Sequence, residues 1–193
     1  MSAPRLVVLA GPNGAGKTTT APSILRDALS VREFVNADTI AQGLSAFDVD
    51  AAAIRAGRIM LARIHELGRE RSDFAFETTL ASRSFAPWIE ELQRSGYSFE
   101  LVFLWLSSPE MALARVAERV RSGGHVVAED VVRRRYDRGL KNFFRLYRPL
   151  ASGWHFFDNS GDAPARLVAE GVGVRENRIE DERLWEQIVK RWS

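Results

Sequence analysis

Two hydrophobic patterns alternate along the chain. Short runs rich in β-branched and aromatic residues occupy Arg5–Ala10, Glu33–Asn36, Asp73–Phe76, Ser98–Leu106 and Trp154–Phe157. Their length and composition predict five strands. Longer stretches between them carry apolar residues at three- and four-residue steps. In Val49–Gly68 the stripe is Ala52, Ala56, Ile59, Met60, Ile64 and Leu67, with Asp48 ahead of it as a candidate N-cap. Pro109–Arg121 opens on a proline suited to a first helical turn and closes on Gly123-Gly124. Further helical patterns cover Lys17–Leu29, Glu129–Leu146 and Ile179–Trp192. Strand–helix alternation of this kind predicts a three-layer α/β fold, with a five-stranded, mostly parallel sheet covered by helices on both faces. No repeat, low-complexity segment or Pro/Ser-rich linker interrupts it, so residues 1–193 are expected to form one domain.

Composition narrows the classes. The 193 residues include no cysteine, which excludes a disulfide scaffold, a thiolate zinc site and a cysteine nucleophile. Three scattered histidines (His65, His125, His155) do not make a metal centre. The apolar run Leu101–Leu106 is far short of the roughly 18 residues that span a bilayer, and Leu6–Ala10 is too short for a secretory segment. The expectation is a cytoplasmic protein without a membrane partner.

The first strand leads into Gly11-Pro12-Asn13-Gly14-Ala15-Gly16-Lys17-Thr18-Thr19, a full match to the phosphate-binding loop G-x-x-x-x-G-K-[ST]. The chemistry calls for these residue types. Glycines let backbone N–H groups curl around a phosphate, the lysine reaches the β/γ oxygens, and the Thr18 hydroxyl is placed on Mg²⁺. The helix that follows aims its positive end at the same anion. The nucleotide candidates are therefore Gly11 to Thr19, with ATP and Mg²⁺ as the implied ligands.

Ligands of doubly wound sheets bind beyond the carboxyl ends of the strands, and three strands deliver acids there. Asp38 follows the second, Glu77 ends the third and Asp158 ends the fifth. Asp38 is the candidate general base for a substrate hydroxyl; its alternative role is N-cap of the helix beginning Asp-Thr-Ile-Ala. Glu77 is suited either to a substrate hydroxyl or to a Mg²⁺-bound water. Asp158 is equally a turn residue. The strand Phe99–Leu106 ends in Ser107-Ser108-Pro109 without an acid, which speaks against a motor or transport ATPase.

Charge is unevenly spread. The net charge is only +2, and Lys17, Lys141 and Lys190 are the only lysines among 27 basic residues. Ten of the basic residues and only four acids fall between Arg115 and Arg148, a segment of +6 in an otherwise mildly acidic chain. On a helix over Glu129–Leu146, Val132, Tyr136, Leu140 and Phe143 form a core stripe, and Arg134, Arg138, Lys141 and Arg145 a basic face. Arg119–His125 carries the glycines of a mobile lid, approximately residues 119–135, able to bring cations onto a transferring phosphoryl group. Interleaved aromatics (Tyr136, Phe143, Phe144, Tyr147) raise nucleic-acid binding as another reading; the core stripe counts against it.

Taken together, Gly11–Thr18, Asn36-Ala37-Asp38, Phe76-Glu77-Thr78-Thr79, Arg119-Val-Arg-Ser-Gly-Gly-His125 and Arg133-Arg134-Arg135-Tyr136 resemble the zeta toxin family, in its small branch of predicted ABC-type ATPases. The resemblance covers roughly residues 5–160. It implies a P-loop fold of the nucleoside-kinase type with an Arg-rich lid, and ATP·Mg²⁺ as phosphoryl donor. It further implies transfer to a sugar hydroxyl of UDP-N-acetylglucosamine and a small antitoxin protein as partner. By motif, Lys17 would bind phosphate, Asp38 would be the base, and Glu77 and Thr79 would contact substrate. Arg119 and one of Arg133–Arg135 would neutralise the transferring group; Arg134 is favoured because it shares the basic face with Arg138. Two alternatives stand beside this: an ATPase switch, and a polynucleotide or nucleoside kinase. The C-terminal helix, with Trp185 and Trp192, either packs on the sheet or docks an antitoxin.

Overall fold

A computed structural model describes residues 3–45, 49–122, 126–161 and 164–193. The candidate N-cap Asp48 and the lid residues Gly123, Gly124 and His125 lie outside the described residues. The sheet contains the five expected strands: β1 (Arg5–Ala10), β2 (Glu33–Val35), β3 (Phe74–Thr78), β4 (Ser98–Trp105) and β5 (Gly153–Asp158). They run parallel in the order β2-β3-β1-β4-β5, so the two strands beside the phosphate loop are β3 and β4.

Among the described residues the expected count of five is corrected to seven. β6 (Arg166–Val172) pairs antiparallel with β5, and β7 (Arg175–Ile179) pairs antiparallel with β6, making the sheet mixed. β7 reads Arg-Glu-Asn-Arg-Ile and is exposed throughout, so it carries no hydrophobic signal. It is held from below by Arg148, whose buried guanidinium lies 4.9 Å from the Trp154 ring and donates to Val174 O (2.5 Å) and Glu176 Oε1 (2.6 Å).

Helices cover both faces. α1 (Lys17–Ala21) does not run unbroken to Leu29: at Pro22 it passes into a π-helical turn over Pro22–Ala28. Proline has no N–H for the i→i−4 ladder, and the turn widens there. α2 (Ala37–Leu44) and α3 (Val49–Arg69) link β2 to β3; α4 (Phe85–Arg94) links β3 to β4. Along α3, Ala52, Ala56, Met60, Ile64 and Leu67 are buried as patterned, whereas Ile59 is exposed. α5 (Pro109–Arg121) and α6 (Glu129–Asn142) lead through a π turn (Phe143–Tyr147) into β5.

The stripe Val132, Tyr136, Leu140 and Phe143 is fully buried, and Phe143 sits 5.0 Å from Phe103 and 5.2 Å from Phe156 in an aromatic core. Phe144 and Tyr147 are buried with them, which removes the aromatics from any nucleic-acid stacking surface. α7 (Glu182–Trp192) begins after β7, not at Ile179, and buries Trp185 and Trp192, so the tryptophans belong to the core and not to a docking face. Among the described residues no helix is long and apolar enough to cross a membrane.

Candidate active site

The phosphate loop closes over its own lysine. Gly11 passes so close to β4 that a Cβ would overlap the Leu104 carbonyl oxygen, and Gly16 opens α1 at φ 76°, a left-handed conformation that favours glycine. Lys17 is buried; its Nζ donates to Pro12 O at 2.9 Å and lies 3.6 Å from Glu77 Oε1. Burial pushes the lysine's pKa below its ordinary value, against the opposing pull of Glu77 and Asp38. A cation held this way gains from an incoming phosphate. Thr18 and Thr19 stand exposed at the start of α1.

The turn after β5 is fastened to the loop. Asn159 Nδ2 donates to Ala15 O at 2.8 Å, and Arg115 donates to the carbonyls of Asn159 (2.8 Å), Ser160 (3.3 Å) and Gly161 (3.2 Å). Asp158, the last residue of β5, accepts from Ser160 N at 2.9 Å and lies 3.8 Å from Arg166 Nη2. The sequence offers no local pattern that ties Arg115 or Asn159 to these partners, which lie 44 and 144 residues away.

Pairing of β3 with β1 in the register Leu9↔Glu77 brings Glu77 beside the phosphate loop. Its Oε2 accepts from Thr18 Oγ1 at 2.8 Å and from Asn36 Nδ2 at 2.7 Å. The acid missing from the end of β4 is thus present on β3. Among the described residues no group of three or more His, Cys, Asp or Glu gathers to hold a metal unaided. The Thr18 hydroxyl and the Glu77 carboxylate nonetheless fit Mg²⁺, which takes oxygen ligands, keeps waters and shares the phosphates of a bound nucleotide.

Asn36, and not Asp38, caps α2: its Oδ1 accepts from Asp38 N (2.8 Å) and Thr39 N (3.3 Å). The Asp38 carboxylate is therefore left for other work. Its side chain is 56% exposed, and Oδ2 lies 3.7 Å from Arg119 Nη1. A cleft of about 240 Å³ brings Lys17, Asp38, Glu77, Thr79, Arg119 and Arg135 together, with Met60 and Phe85 as apolar wall. Asn13 lines the same cleft, and its buried Oδ1 has no hydrogen-bond partner among the described residues.

The arginines divide differently from expectation. Arg134 does not line the cleft; it pairs with Asp130 at 3.3 Å on the exposed face of α6. Arg133 is bound to Glu110 (2.6 Å) and Glu129 (2.8 Å). The neighbour facing the cleft is Arg135, because the buried stripe of α6 fixes the helix phase. A wider cleft of about 720 Å³ also borders Thr18, lined by Ala21, Pro22, Leu25, Val31, Arg32 and Phe34.

A phosphate loop between β1 and α1, flanked by acids from the ends of β2 and β3, in a sheet of this order, defines a P-loop kinase-like α/β protein. The chain belongs to the AAA domain family, whose model matches residues 6–146. An uncharacterised protein of Haemophilus influenzae is 31% identical over 132 residues, covering 68% of this chain and 92% of its own.

Among solved structures, a chain of the AvrRxo1-ORF1:ORF2 complex with ATP superposes with a TM-score of 0.72 at 18% identity. That match covers 97% of this chain, which spans only 64% of its counterpart. A chain of the PezAT chromosomal toxin–antitoxin system of Streptococcus pneumoniae superposes with a TM-score of 0.69 at 12% identity, over 99% of this chain and 85% of its own. At these identities the likeness is one of fold.

Proposed function

We propose that this protein is an ATP-dependent phosphotransferase of zeta-toxin type, moving the γ-phosphate of ATP to a hydroxyl of a small molecule. The observation that carries the reading is the convergence of Lys17, Asp38, Glu77, Arg119 and Arg135 on one cleft at the mouth of the phosphate loop. Asp38 takes the acceptor's proton as the hydroxyl oxygen attacks the γ-phosphorus; the bond to the β,γ-bridging oxygen breaks and ADP leaves. Lys17 holds the β/γ oxygens, and Arg119 and Arg135 lie where charge on the transferring group needs neutralising. Thr18 and Glu77 would hold Mg²⁺, which would supply further neutralisation of the phosphates. Thr79, on the wall of the cleft, contacts the acceptor.

The finer reading is a nucleotide sugar such as UDP-N-acetylglucosamine as acceptor, with the whole chain acting as one cytoplasmic kinase domain, its lid near residues 119–135, and a small antitoxin as partner. The resemblance of its motifs and the shared fold with a toxin–antitoxin protein support that reading. The deciding experiment offers γ-labelled ATP to a panel of UDP-sugars, nucleosides, simple sugars and RNA 5′ ends. Label on a UDP-sugar supports the full proposal, and label on another hydroxyl supports only the kinase chemistry. Label released to water alone refutes both and leaves an ATPase switch.

A further inference from the structure

Asn36 is buried, with 5% of its surface exposed, at the point where β2 passes into α2. All of its amide is engaged. Oδ1 takes the N–H groups of Asp38 (2.8 Å) and Thr39 (3.3 Å), while Nδ2 gives its protons to Glu77 Oε2 (2.7 Å) and Thr18 Oγ1 (3.3 Å). The orientation is dictated by the partners: backbone N–H groups can only donate, so they must face the oxygen, and the nitrogen must then face the carboxylate. One neutral side chain thus joins the backbone of the base to the oxygens that suit Mg²⁺.

We infer that Asn36 is a positioning residue that holds the Asp38 end of α2 and the Thr18–Glu77 pair in one fixed arrangement. This deepens the proposed function and rests on it for the roles of Asp38 and Glu77. The residue type follows from the double demand. Serine, threonine and aspartate cap a helix about as well as asparagine. Serine and threonine are too short to reach Glu77 as well, and aspartate would set a second negative charge against it. Only an amide of this length serves both ends. Partners that orient metal-binding groups without touching the metal typically change metal affinity 10- to 100-fold when removed.

The test separates the tether from the cap. Asn36→Ser and Asn36→Thr keep the cap and lose the tether; Asn36→Ala loses both. ATP affinity is measured by calorimetry with and without Mg²⁺, beside thermal melting and the kinetics of phosphoryl transfer. The serine variant is expected to melt within about 3 °C of wild type. Its Mg²⁺-dependent gain in ATP affinity should fall about tenfold or more, and kcat by a similar factor, with acceptor KM little changed. The alanine variant should melt lower than the serine variant yet lose no more of the Mg²⁺ gain. Serine and threonine variants that keep both the wild-type Mg²⁺ gain and kcat would overturn the inference and reduce Asn36 to a cap. If wild type binds Mg²⁺ and ATP but labels only water, the kinase reading falls, and the Mg²⁺ gain alone decides the role of Asn36.

Discussion

Replacing Asp38 by asparagine separates chemistry from folding. The structural cost is bounded by what the carboxylate does in the fold. It does not cap α2, since Asn36 does. It sits in the first turn of the helix, where a negative charge contributes about 0.3–1 kcal/mol through the helix dipole. Its ion pair with Arg119 joins side chains 56% and 41% exposed at 3.7 Å, and such pairs contribute about 0–1 kcal/mol. The folding loss is therefore about 1 kcal/mol, a shift of only about 2–4 °C in melting temperature for a chain of this size.

The catalytic loss is larger. An amide cannot accept the hydroxyl proton, and general-base catalysis contributes about 10²- to 10⁴-fold, or about 3–5 kcal/mol of barrier. The assay is transfer of label from γ-labelled ATP, run beside calorimetric ATP binding and a thermal melt. The expected result is a kcat lower by two to four decades, with ATP affinity within about threefold and the melt nearly unchanged. Turnover within tenfold of wild type would refute the assignment of the base, and an equal loss of ATP affinity would refute the division of labour between α2 and the phosphate loop.

Other consequences follow from the same geometry. Arg135→Ala should lower kcat by at least tenfold in the labelled-ATP assay, whereas Arg134→Ala, which loses only an exposed pair with Asp130, should leave it within twofold; the reverse order would return the role to Arg134. Gly139→Ala places a Cβ 2.5 Å from Thr79 O and pushes α6 off the wall of the cleft, with an expected loss of about 1–3 kcal/mol and a lower melting temperature; an unchanged melt would show that the helix shifts freely. Glu100, half-buried on β4, has its pKa raised, chiefly by burial and against the pull of His155. Because the folded state favours the protonated acid, ionisation costs stability at neutral pH, and that stability returns as pH falls through the raised folded pKa towards the ordinary value. Glu100→Gln should melt higher than wild type at pH 7, with the gap closing on acidification; a gap independent of pH would assign the effect to packing.

The uneven charge of the chain acquires a physical account from the fold. Of the basic residues between Arg115 and Arg148, Arg115 fastens the turn after β5, and Arg148 is buried beneath the β6–β7 hairpin. Arg133 and Arg134 answer acids on α5 and α6, and Arg119 and Arg135 line the cleft. The cluster is therefore part scaffold and part site. A count of charges does not distinguish the two, because an arginine that holds carbonyls and one that faces an anion are the same residue type.

What the sequence determined by itself is local. The phosphate loop is a contiguous run whose residue types follow from backbone curvature and phosphate charge. The central strands β1, β3 and β4 are largely buried and therefore written in apolar residues, and the stripe of α6 repeats at helical spacing. Asp38 and Glu77 come to one cleft because parallel strands deliver their ends to one edge. Helix phase and contacts between distant segments set the rest. Arg133, Arg134 and Arg135 differ by about 100° around one helix, and only the docking of that helix chooses which of them faces the cleft. Asn36 caps α2 with one end of its amide and reaches Glu77, 41 residues away, with the other, a pairing that no local pattern records. β7 leaves no hydrophobic signature because an exposed edge strand buries nothing, and hydrophobic pattern records only what is buried.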